Sequence, residues 1–346
     1  MELTNRIKPD QHLKELLGGA PRAEPHFIEP MKCKLVEALP KHGHWFYELK
    51  YDGYRALAIK NGRQLTLLSR NRKDLSARFP ELARSLSRLA CQKVTLDGEI
   101  VALANDRPSF QTLQNAGQPG TDPSSIYYYA FDLLNLDGRD LTALPLEVRR
   151  NLLTQLLKRA PNGVCVSRSV EGAADVFLKE VTRRGLEGLI AKKAGSPYEA
   201  GKRSGAWIKY KFLHEQEFVI GGYTLPQGSR QAFGAILVGF YENGRLRYAS
   251  KVGTGYSMDM LRRLFEKFEP LRQPKTPFCN VPEPRHGRWG QGLTASDMKR
   301  CVWLKPRLVC QVAFSEWTEG AHLRQPVFKG LRDDKDPIEV VQEIPS

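Results

Sequence analysis

The sequence changes its character at His214. Before that residue, apolar patterns typical of strands alternate with amphipathic patterns typical of helices. After it, short strand patterns separated by turn residues dominate. This change predicts two domains, residues 1–213 and residues 214–346. A chain of 346 residues has the length expected for two domains of ordinary size.

The first domain is predicted to begin with an extended polar lead-in, residues 1–30, which is rich in proline and glycine. Helices are expected at residues 79–90, 145–159 and 172–184, which show amphipathic patterns, and Pro80 marks the start of the first. The predicted strands are residues 45–50, 55–61, 64–69, 94–103, 126–133, 189–193 and 207–212.

The second domain is predicted to be a small β domain with one helix, residues 257–268. Asn243-Gly244 is a strong hairpin signal between two strand patterns. Short strands with one interposed helix fit a barrel of the OB type, and a compact β-sandwich is nearly as compatible. A mobile surface loop is expected at residues 272–292. The predicted strands are residues 217–223, 232–241, 246–252 and 302–314.

The charge of the chain points to a polyanionic partner. Lysine and arginine number 53 against 38 acidic residues, a net charge of +15 that is spread along the whole length. Nucleic acid is the leading candidate for such a folded basic protein. No long basic amphipathic helix or long apolar run is present, so no membrane association is expected. Six scattered cysteines without a C-x-x-C pair predict reduced thiols in the cytoplasm.

Lys50 is the candidate nucleophile. It follows an apolar strand pattern in Glu48-Leu49-Lys50-Tyr51-Asp52-Gly53-Tyr54-Arg55. Taken alone, this motif is better explained as a charged hairpin with a turn glycine. An ordinary lysine has a pKa of about 10.4, so a nucleophilic lysine needs neighbouring cations that disfavour its ammonium form. Lys209 and Lys211 offer two, because alternate residues of a strand share a face.

Carboxylates for a cation or a ribose lie in two further segments. Asp97 and Glu99 alternate with apolar residues and therefore share one face of a predicted strand. Hard cations prefer such oxygen ligands. Glu187 precedes another strand, in which strict alternation places it opposite Lys192 unless Gly188 breaks the register.

An aromatic row, Tyr127, Tyr129 and Phe131, completes the inventory. Such aromatic residues more commonly pack in the core. Alternatively, one exposed ring could stack on a purine. A lysine, metal-binding carboxylates, an aromatic ring and phosphate-binding cations together indicate nucleotidyl transfer through a lysine–nucleotide phosphoramidate. Neither a P-loop nor a G-x-G-x-x-G motif is present.

In this combination and order, the motifs resemble those of ATP-dependent DNA ligases, and most closely the ligase module of bacterial non-homologous end-joining ligases of the ligase D type. The resemblance covers roughly residues 28–340. The motifs that carry it are Glu48–Arg55, Ser69-Arg70-Asn71, Asp97-Gly98-Glu99, Phe131-Asp132-Leu133-Leu134, Glu187–Lys192, Trp207–Lys211 and Phe328–Lys335.

The resemblance implies a role for each matching residue. Lys50 would carry AMP, Phe131 would pack against adenine, and Glu99 would contact ribose or metal. Glu187 would be the second metal carboxylate. The implied nucleotide and phosphate contacts are Glu48, Arg55, Arg70, Lys192, Lys209 and Lys211, and the implied pyrophosphate contacts are Arg332 and Lys335.

The same resemblance implies an α+β fold, with a nucleotidyltransferase (adenylation) domain of antiparallel sheets and flanking helices, followed by a C-terminal OB-fold β-barrel. It implies ATP with Mg²⁺ or Mn²⁺, nicked or broken duplex DNA as substrate, a monomer, and possible help from an end-binding repair protein. An RNA ligase or an mRNA-capping enzyme shares the lysine motif and stays an alternative. A basic nucleic-acid-binding scaffold without catalysis is the non-enzymatic alternative.

The first prediction concerns Lys50. Incubation with α-labelled ATP and a divalent metal should label the wild-type protein covalently, because the amine displaces pyrophosphate from the α-phosphate. Lys50→Ala should stay unlabelled. Equal labelling of wild type and variant would remove Lys50 from this role.

Overall fold

The structure, a computed structural model, divides into two compact units, Met1–Phe212 with Pro345–Ser346, and Leu213–Ile344. It describes residues 11–40, 42–104, 107–116, 122–172, 177–178, 181, 188–211, 214–226, 232–285, 292–318 and 320–343. Among the described helices, none is long and apolar enough to cross a membrane.

The first unit contains two sheets and four helices in its described part. The helices are α1 (Gln11–Gly19), α2 (Pro80–Ser87), α3 (Phe110–Gln114) and α4 (Leu146–Leu156), with 3₁₀ turns at Pro123–Ser125 and Leu157–Arg159. The strands are β1 (Lys34–Leu35), β2 (Trp45–Leu49), β3 (Tyr54–Asn61), β4 (Gln64–Ser69), β5 (Lys93–Ala104), β6 (Arg107–Pro108), β7 (Ile126–Leu136), β8 (Arg139–Asp140), β9 (Val164–Val166), β10 (Ser169–Glu171), β11 (Gly188–Lys193) and β12 (Trp207–Lys211).

Antiparallel pairing dominates both sheets. The seven-stranded sheet has the order β4-β3-β5-β7-β8, with β6 paired to β5 and β9 paired parallel to β7. The five-stranded sheet has the order β1-β12-β11-β2-β10. Strand β2, which leads to Lys50, is thus a member of the second sheet, and the neighbouring strand β3 belongs to the first.

The two faces of the seven-stranded sheet are buried in different ways. One face packs against the leucines of α2, α3 and α4, including Leu86, Leu113 and Leu152. On the other side, Leu57 and Leu134 of this sheet share a core cluster with Trp207 of the five-stranded sheet. The two sheets of the first unit therefore meet through a common apolar cluster, and the candidate residues lie beside it.

A fully buried ion pair joins α4 to β7. The Arg149 guanidinium donates to both carboxylate oxygens of Asp132, at 2.8 and 2.9 Å, and to the Ser196 carbonyl oxygen at 3.1 Å. Both side chains of the pair are 0% exposed. A buried charge is tolerated only when it is paired and hydrogen-bonded. This pair fixes the position of α4 on the sheet.

The second unit contains one sheet whose edges approach each other. Its strands are β13 (His214–Thr224), β14 (Ile236–Glu242), β15 (Arg245–Val252), β16 (Arg272–Gln273), β17 (Cys301–Phe314) and β20 (Val327–Leu331), with a separate hairpin of β18 (Glu316–Trp317) and β19 (Leu323–Arg324). The helices are α5 (Met258–Phe268) and α6 (Ala295–Met298), with 3₁₀ turns at Glu269–Leu271 and Pro337–Glu339.

This sheet has the barrel form expected of an OB fold. The strand order is β15-β14-β13-β17, and β20 continues it beside β17. A parallel bridge between Thr254, just after β15, and Val327 of β20 connects the two edges. Five strands with connected edges form the partly open barrel typical of the OB fold, so the β-sandwich alternative is not adopted.

Most predicted elements match the structure, with three differences. The lead-in 1–30, which was predicted to be extended, contains the helix α1 (Gln11–Gly19), because Leu17 packs against the core of the seven-stranded sheet. The predicted mobile loop 272–292 begins with β16, and Phe278 is buried in the core of the second unit, so this part of the loop is anchored. The strand predicted at 232–241 begins only at Ile236, after Gly234. The helix predicted at 172–184 lies largely outside the described residues, as do residues 1–10 of the lead-in.

The second prediction tests the buried pair. Arg149→Ala leaves the Asp132 carboxylate buried without its partner, so the free energy of unfolding should fall by about 3–5 kcal/mol. Arg84→Ala is the matched control, because the Arg84–Glu81 pair on α2 is more than half exposed. Removing such a surface pair should cost less than about 1 kcal/mol. Urea unfolding followed by circular dichroism measures the free energy of unfolding of both variants. Equal decreases in the two variants would contradict a stabilising role for the buried Arg149–Asp132 pair.

Candidate functional site

Lys50 is anchored at the end of β2 beside β11. Its backbone N–H donates to the Gly188 carbonyl oxygen at 3.0 Å. Glu48 lies opposite Ile190, which lies opposite Lys209 on the next strand. Directly opposed residues of antiparallel strands project to the same face. One face of the five-stranded sheet therefore carries Glu48, Ile190 and Lys209 together, next to Lys50.

Glycines in the two acidic motifs permit close packing. A Cβ at Gly53 would lie 2.2 Å from the Ile100 carbonyl oxygen and 2.9 Å from Cγ of Glu99. A Cβ at Gly98 would lie 2.5–2.8 Å from the Tyr128 ring. Only glycine fits such approaches. The D-G pair after Lys50 thus brings the nucleophile segment against Glu99 of β5.

The Arg55 side chain is held by several partners. Its Nε and Nη2 donate to the two Asp97 carboxylate oxygens at 3.0 and 2.7 Å, and Nη1 donates to the Met31 carbonyl oxygen at 2.7 Å. Tyr198 also donates to Asp97, at 2.7 Å. The guanidinium carbon lies 5.5 Å from the centre of the Phe131 ring. Arg55 is therefore rigidly oriented beside the predicted adenine contact.

Glu48 and Lys192 form a buried charge cluster with Arg150. The Glu48 carboxylate is 3% exposed and accepts from Arg150 Nη1, from Ser167 Oγ at 3.0 Å and from Lys192 Nζ at 3.0 Å. Lys192 also donates to the Phe131 carbonyl oxygen at 3.0 Å. Burial lowers the pKa of Lys192, and the negative charge of Glu48 acts in the opposite direction.

Phe131 is the extra residue of a β-bulge. In the β5–β7 pairing, Gly98 is opposite Ala130 and Asp97 is opposite Asp132. A bulge re-aims a side chain relative to regular alternation. The Phe131 ring packs edge-on against Trp207 at 6.0 Å, and the Lys192 ammonium lies 4.5 Å from its centre. The Tyr129 ring, by contrast, stacks on Tyr51 at 4.4 Å.

Four of the candidate cations lie around one thiol. Burial raises the pKa of Cys33, and the positive charges of Arg55, Lys209, Lys192 and Lys50 oppose the rise. These four cations come from β3, β11, β12 and the residue that follows β2. This concentration of positive charge suits the phosphates of a nucleotide.

The carboxylates of the motif regions have different environments. Asp97 is fully buried, and its carboxylate accepts hydrogen bonds from Arg55 and Tyr198. The prediction that Asp97 shares a cation site with Glu99 is therefore wrong. Glu99 is half-buried. Glu187 lies outside the described residues, and β11 keeps an unbroken register from Gly188 onward. Among the described residues, no three His, Cys, Asp or Glu side chains cluster as a metal site.

The remaining candidate residues lie on β12, directly after β4 and in the second unit. Lys211 is half-buried on the same face of β12 as Lys209. The pKa of the Glu29 carboxyl is lowered mainly by Lys32, and the positive charge of Arg70 lowers it further. In the second unit, Arg332 donates to both Asp334 oxygens at 2.9 and 3.0 Å, and Lys335 pairs with Glu217 at 3.0 Å.

Arg150 is the main feature that sequence reasoning missed. Arg149 and Arg150 occupy positions three and four after Leu146, on the buried face of α4. Charged residues at the apolar positions of a helix are rare unless paired. That placement is the sequence signal of a buried charge network, although the sequence does not identify the partner.

Two protein-family models and several known proteins match this chain. The model of the ATP dependent DNA ligase domain matches residues 25–211, and that of the ATP dependent DNA ligase C terminal region matches residues 229–335. DNA ligase C1 of Mycolicibacterium smegmatis is 32% identical, over 90% of this chain and 91% of that protein.

Longer relatives match as well. The multifunctional non-homologous end joining protein LigD of Pseudomonas aeruginosa is 40% identical over 95% of this chain, which spans 38% of that relative's length. A solved structure of mycobacterial DNA ligase D, complexed with ATP and MES, is 35% identical with a TM-score of 0.62. The match covers 90% of this chain and 98% of that one.

The third prediction uses the Arg332–Asp334 pair. Burial raises the pKa of Asp334, but Arg332 outweighs it and holds the pKa below the ordinary 3.8. A carboxyl with a depressed folded-state pKa stabilises the fold above its unfolded pKa, and this contribution disappears as the pH falls through the folded pKa. Asp334→Asn should therefore be less stable than wild type at neutral pH. This difference in the free energy of unfolding should become smaller below about pH 4.

Urea unfolding at a series of pH values measures this difference. Asp333→Asn is the control, because Asp333 is the exposed neighbour of the buried Asp334. The control should differ from wild type by a small amount, because substitutions of exposed residues usually change the free energy of unfolding little. A difference between Asp334→Asn and wild type that stays constant from pH 7 to the acid limit would contradict the ion-pair assignment.

Proposed function

The chain belongs to the ATP-dependent DNA ligase family, and we propose that it seals breaks in duplex DNA through a lysyl-adenylate on Lys50. The observation that carries this proposal is the set of basic side chains placed around the residues that flank Lys50. Lys209 shares a face of the five-stranded sheet with Glu48, Lys192 pairs with Glu48 at 3.0 Å, and Arg55 lies beside Phe131.

In the proposed first step, the neutral Lys50 amine attacks the α-phosphorus of ATP. A nitrogen–phosphorus bond forms, the bond to the bridging oxygen breaks, and pyrophosphate leaves. Lys209 and Lys211 share one face of β12 and would neutralise the phosphate charge. Phe131, which packs against Trp207 and Lys192, would provide the face for the adenine ring. Arg332 and Lys335 would orient the pyrophosphate.

A divalent cation, Mg²⁺ or Mn²⁺, is part of the proposal. Glu99 offers a half-buried carboxylate next to the Lys50 segment, and Glu187 would be a second ligand. Mg²⁺ is commonly held by one or two carboxylates, together with substrate phosphates and water. The donors present fit this pattern, and the ion would neutralise charge on the phosphates.

In the later proposed steps, AMP passes from Lys50 to a DNA 5′-phosphate, and a 3′-hydroxyl then displaces it. Arg70 would contact phosphate in these steps. The net charge of +15 supports a polyanionic substrate. The name of the Pseudomonas aeruginosa relative supports a role in non-homologous end joining. We propose that the protein works in the cytoplasm. We propose a monomer that works on nicks or ends, with an end-binding repair protein as a partner.

The fourth prediction is strand sealing. With ATP and Mg²⁺ or Mn²⁺, the wild type should join a nicked DNA duplex with a 5′-phosphate, and Lys50→Ala should give no product. Lys73→Ala, an exposed lysine in the same unit, is the control and should seal at the wild-type rate. Gel analysis of a labelled nick measures the product. Sealing of nicked RNA but not DNA, covalent labelling by GTP instead of ATP, or no covalent labelling at all would contradict the proposal.

A further inference from the structure

We propose that Arg150 is a positioning residue for Lys50 and acts through Glu48. This inference rests on the proposed function, because it concerns how Lys50 is held for attack on ATP. Arg150 belongs to α4, and the leucines of this helix pack in the core of the seven-stranded sheet. Lys50 follows β2 of the other sheet. Arg150 is 9% exposed, and its contacts cross from one sheet to the other.

The Arg150 guanidinium has four contacts on that side. It donates to the Glu48 carboxylate, to Ser169 Oγ at 2.6 Å and to the Ser167 carbonyl oxygen at 3.3 Å. Its central carbon lies 5.8 Å from the centre of the Phe46 ring. Glu48 and Phe46 belong to β2, and Ser169 belongs to β10. One side chain thus connects a helix of the first sheet to the strand that ends at the nucleophile.

The connection continues from Glu48 to the predicted adenine contact. Glu48 lies two residues before Lys50 and pairs with Lys192 at 3.0 Å. Lys192 in turn donates to the Phe131 carbonyl oxygen at 3.0 Å, and its ammonium lies over the Phe131 ring. A shift of Glu48 would therefore move the end of β2, and with it Lys50, relative to Phe131.

Arg150 restrains this carboxylate in a way that the other partners do not. Without Arg150, Glu48 would keep Lys192 and the Ser167 hydroxyl as donors. A buried carboxylate that loses one donor moves toward those that remain, because an unpaired buried charge is costly. Such a move displaces the end of β2. A misplacement of about 1 Å near the reacting atoms can lower a rate by about 100-fold.

The test measures the rate constant of lysyl-adenylate formation and the KM for ATP. Arg150→Met should lower the rate constant by about 100-fold and change KM by less than about 3-fold, because Arg150 does not touch the nucleotide. Arg150→Lys keeps the charge and some of the hydrogen bonds, so it should lose only about 10-fold. Arg159→Met is the control at an exposed arginine just after α4, and its rate should equal that of wild type.

A double-mutant cycle tests the route through Glu48. If Arg150 acts through Glu48, then Glu48→Gln combined with Arg150→Met should be no slower than the slower single variant. If the decrease in rate constant of the double variant equalled the product of the two single decreases, Arg150 would not act through Glu48. If Arg150→Met does not fold, then Arg150→Lys carries the test.

The remaining outcomes separate the two proposals. A wild-type rate in Arg150→Lys and Arg150→Met, or a loss that appears only in KM, would overturn the positioning role. The proposed function would stand as long as Lys50→Ala stays unlabelled beside an active wild type. Absence of labelling in the wild type itself would overturn the proposed function instead.

Discussion

The first unit depends on one constraint, the pairing of charges that its fold buries beside the nucleophile. Glu48, Lys192 and Arg150 lie among apolar side chains, and each is nearly inaccessible to water. An ion in such surroundings is stable only when its partners satisfy it. Their mutual contacts therefore determine how the two sheets of the unit approach each other. The chemistry at Lys50 requires that same precision, so the interaction that permits burial also organises the site.

The candidate residues are distributed over the two sheets, which this constraint holds together. The five-stranded sheet carries Lys50, Lys192 and Lys209, and the seven-stranded sheet carries Glu99 and Phe131. Neither sheet holds a complete site. Rigid strands place side chains more precisely than loops do. Phosphoryl transfer needs mainly positioning and charge neutralisation, which two sheets that contribute opposite halves of a site can supply.

The sequence predicted the elements well, and it predicted the site only in part. Alternation correctly placed Lys209 and Lys211 on one face, because β12 is regular. It failed at Asp97, whose carboxylate is neutralised by Arg55 and Tyr198, since partners distant along the chain are invisible to local patterns. Arg150 was missed for the same reason, as its contact with Glu48 spans 102 residues. The roles of the candidate residues, including Lys50, stay predictions.

The most direct test of the account is mass spectrometry of the purified protein after incubation with ATP and Mg²⁺ or Mn²⁺. The account predicts one added AMP per chain, located on the peptide that contains Lys50 and lost when excess pyrophosphate is supplied. AMP found on another lysine, or an unmodified chain in the presence of ATP and metal, would contradict the claim that Lys50 is the nucleophile.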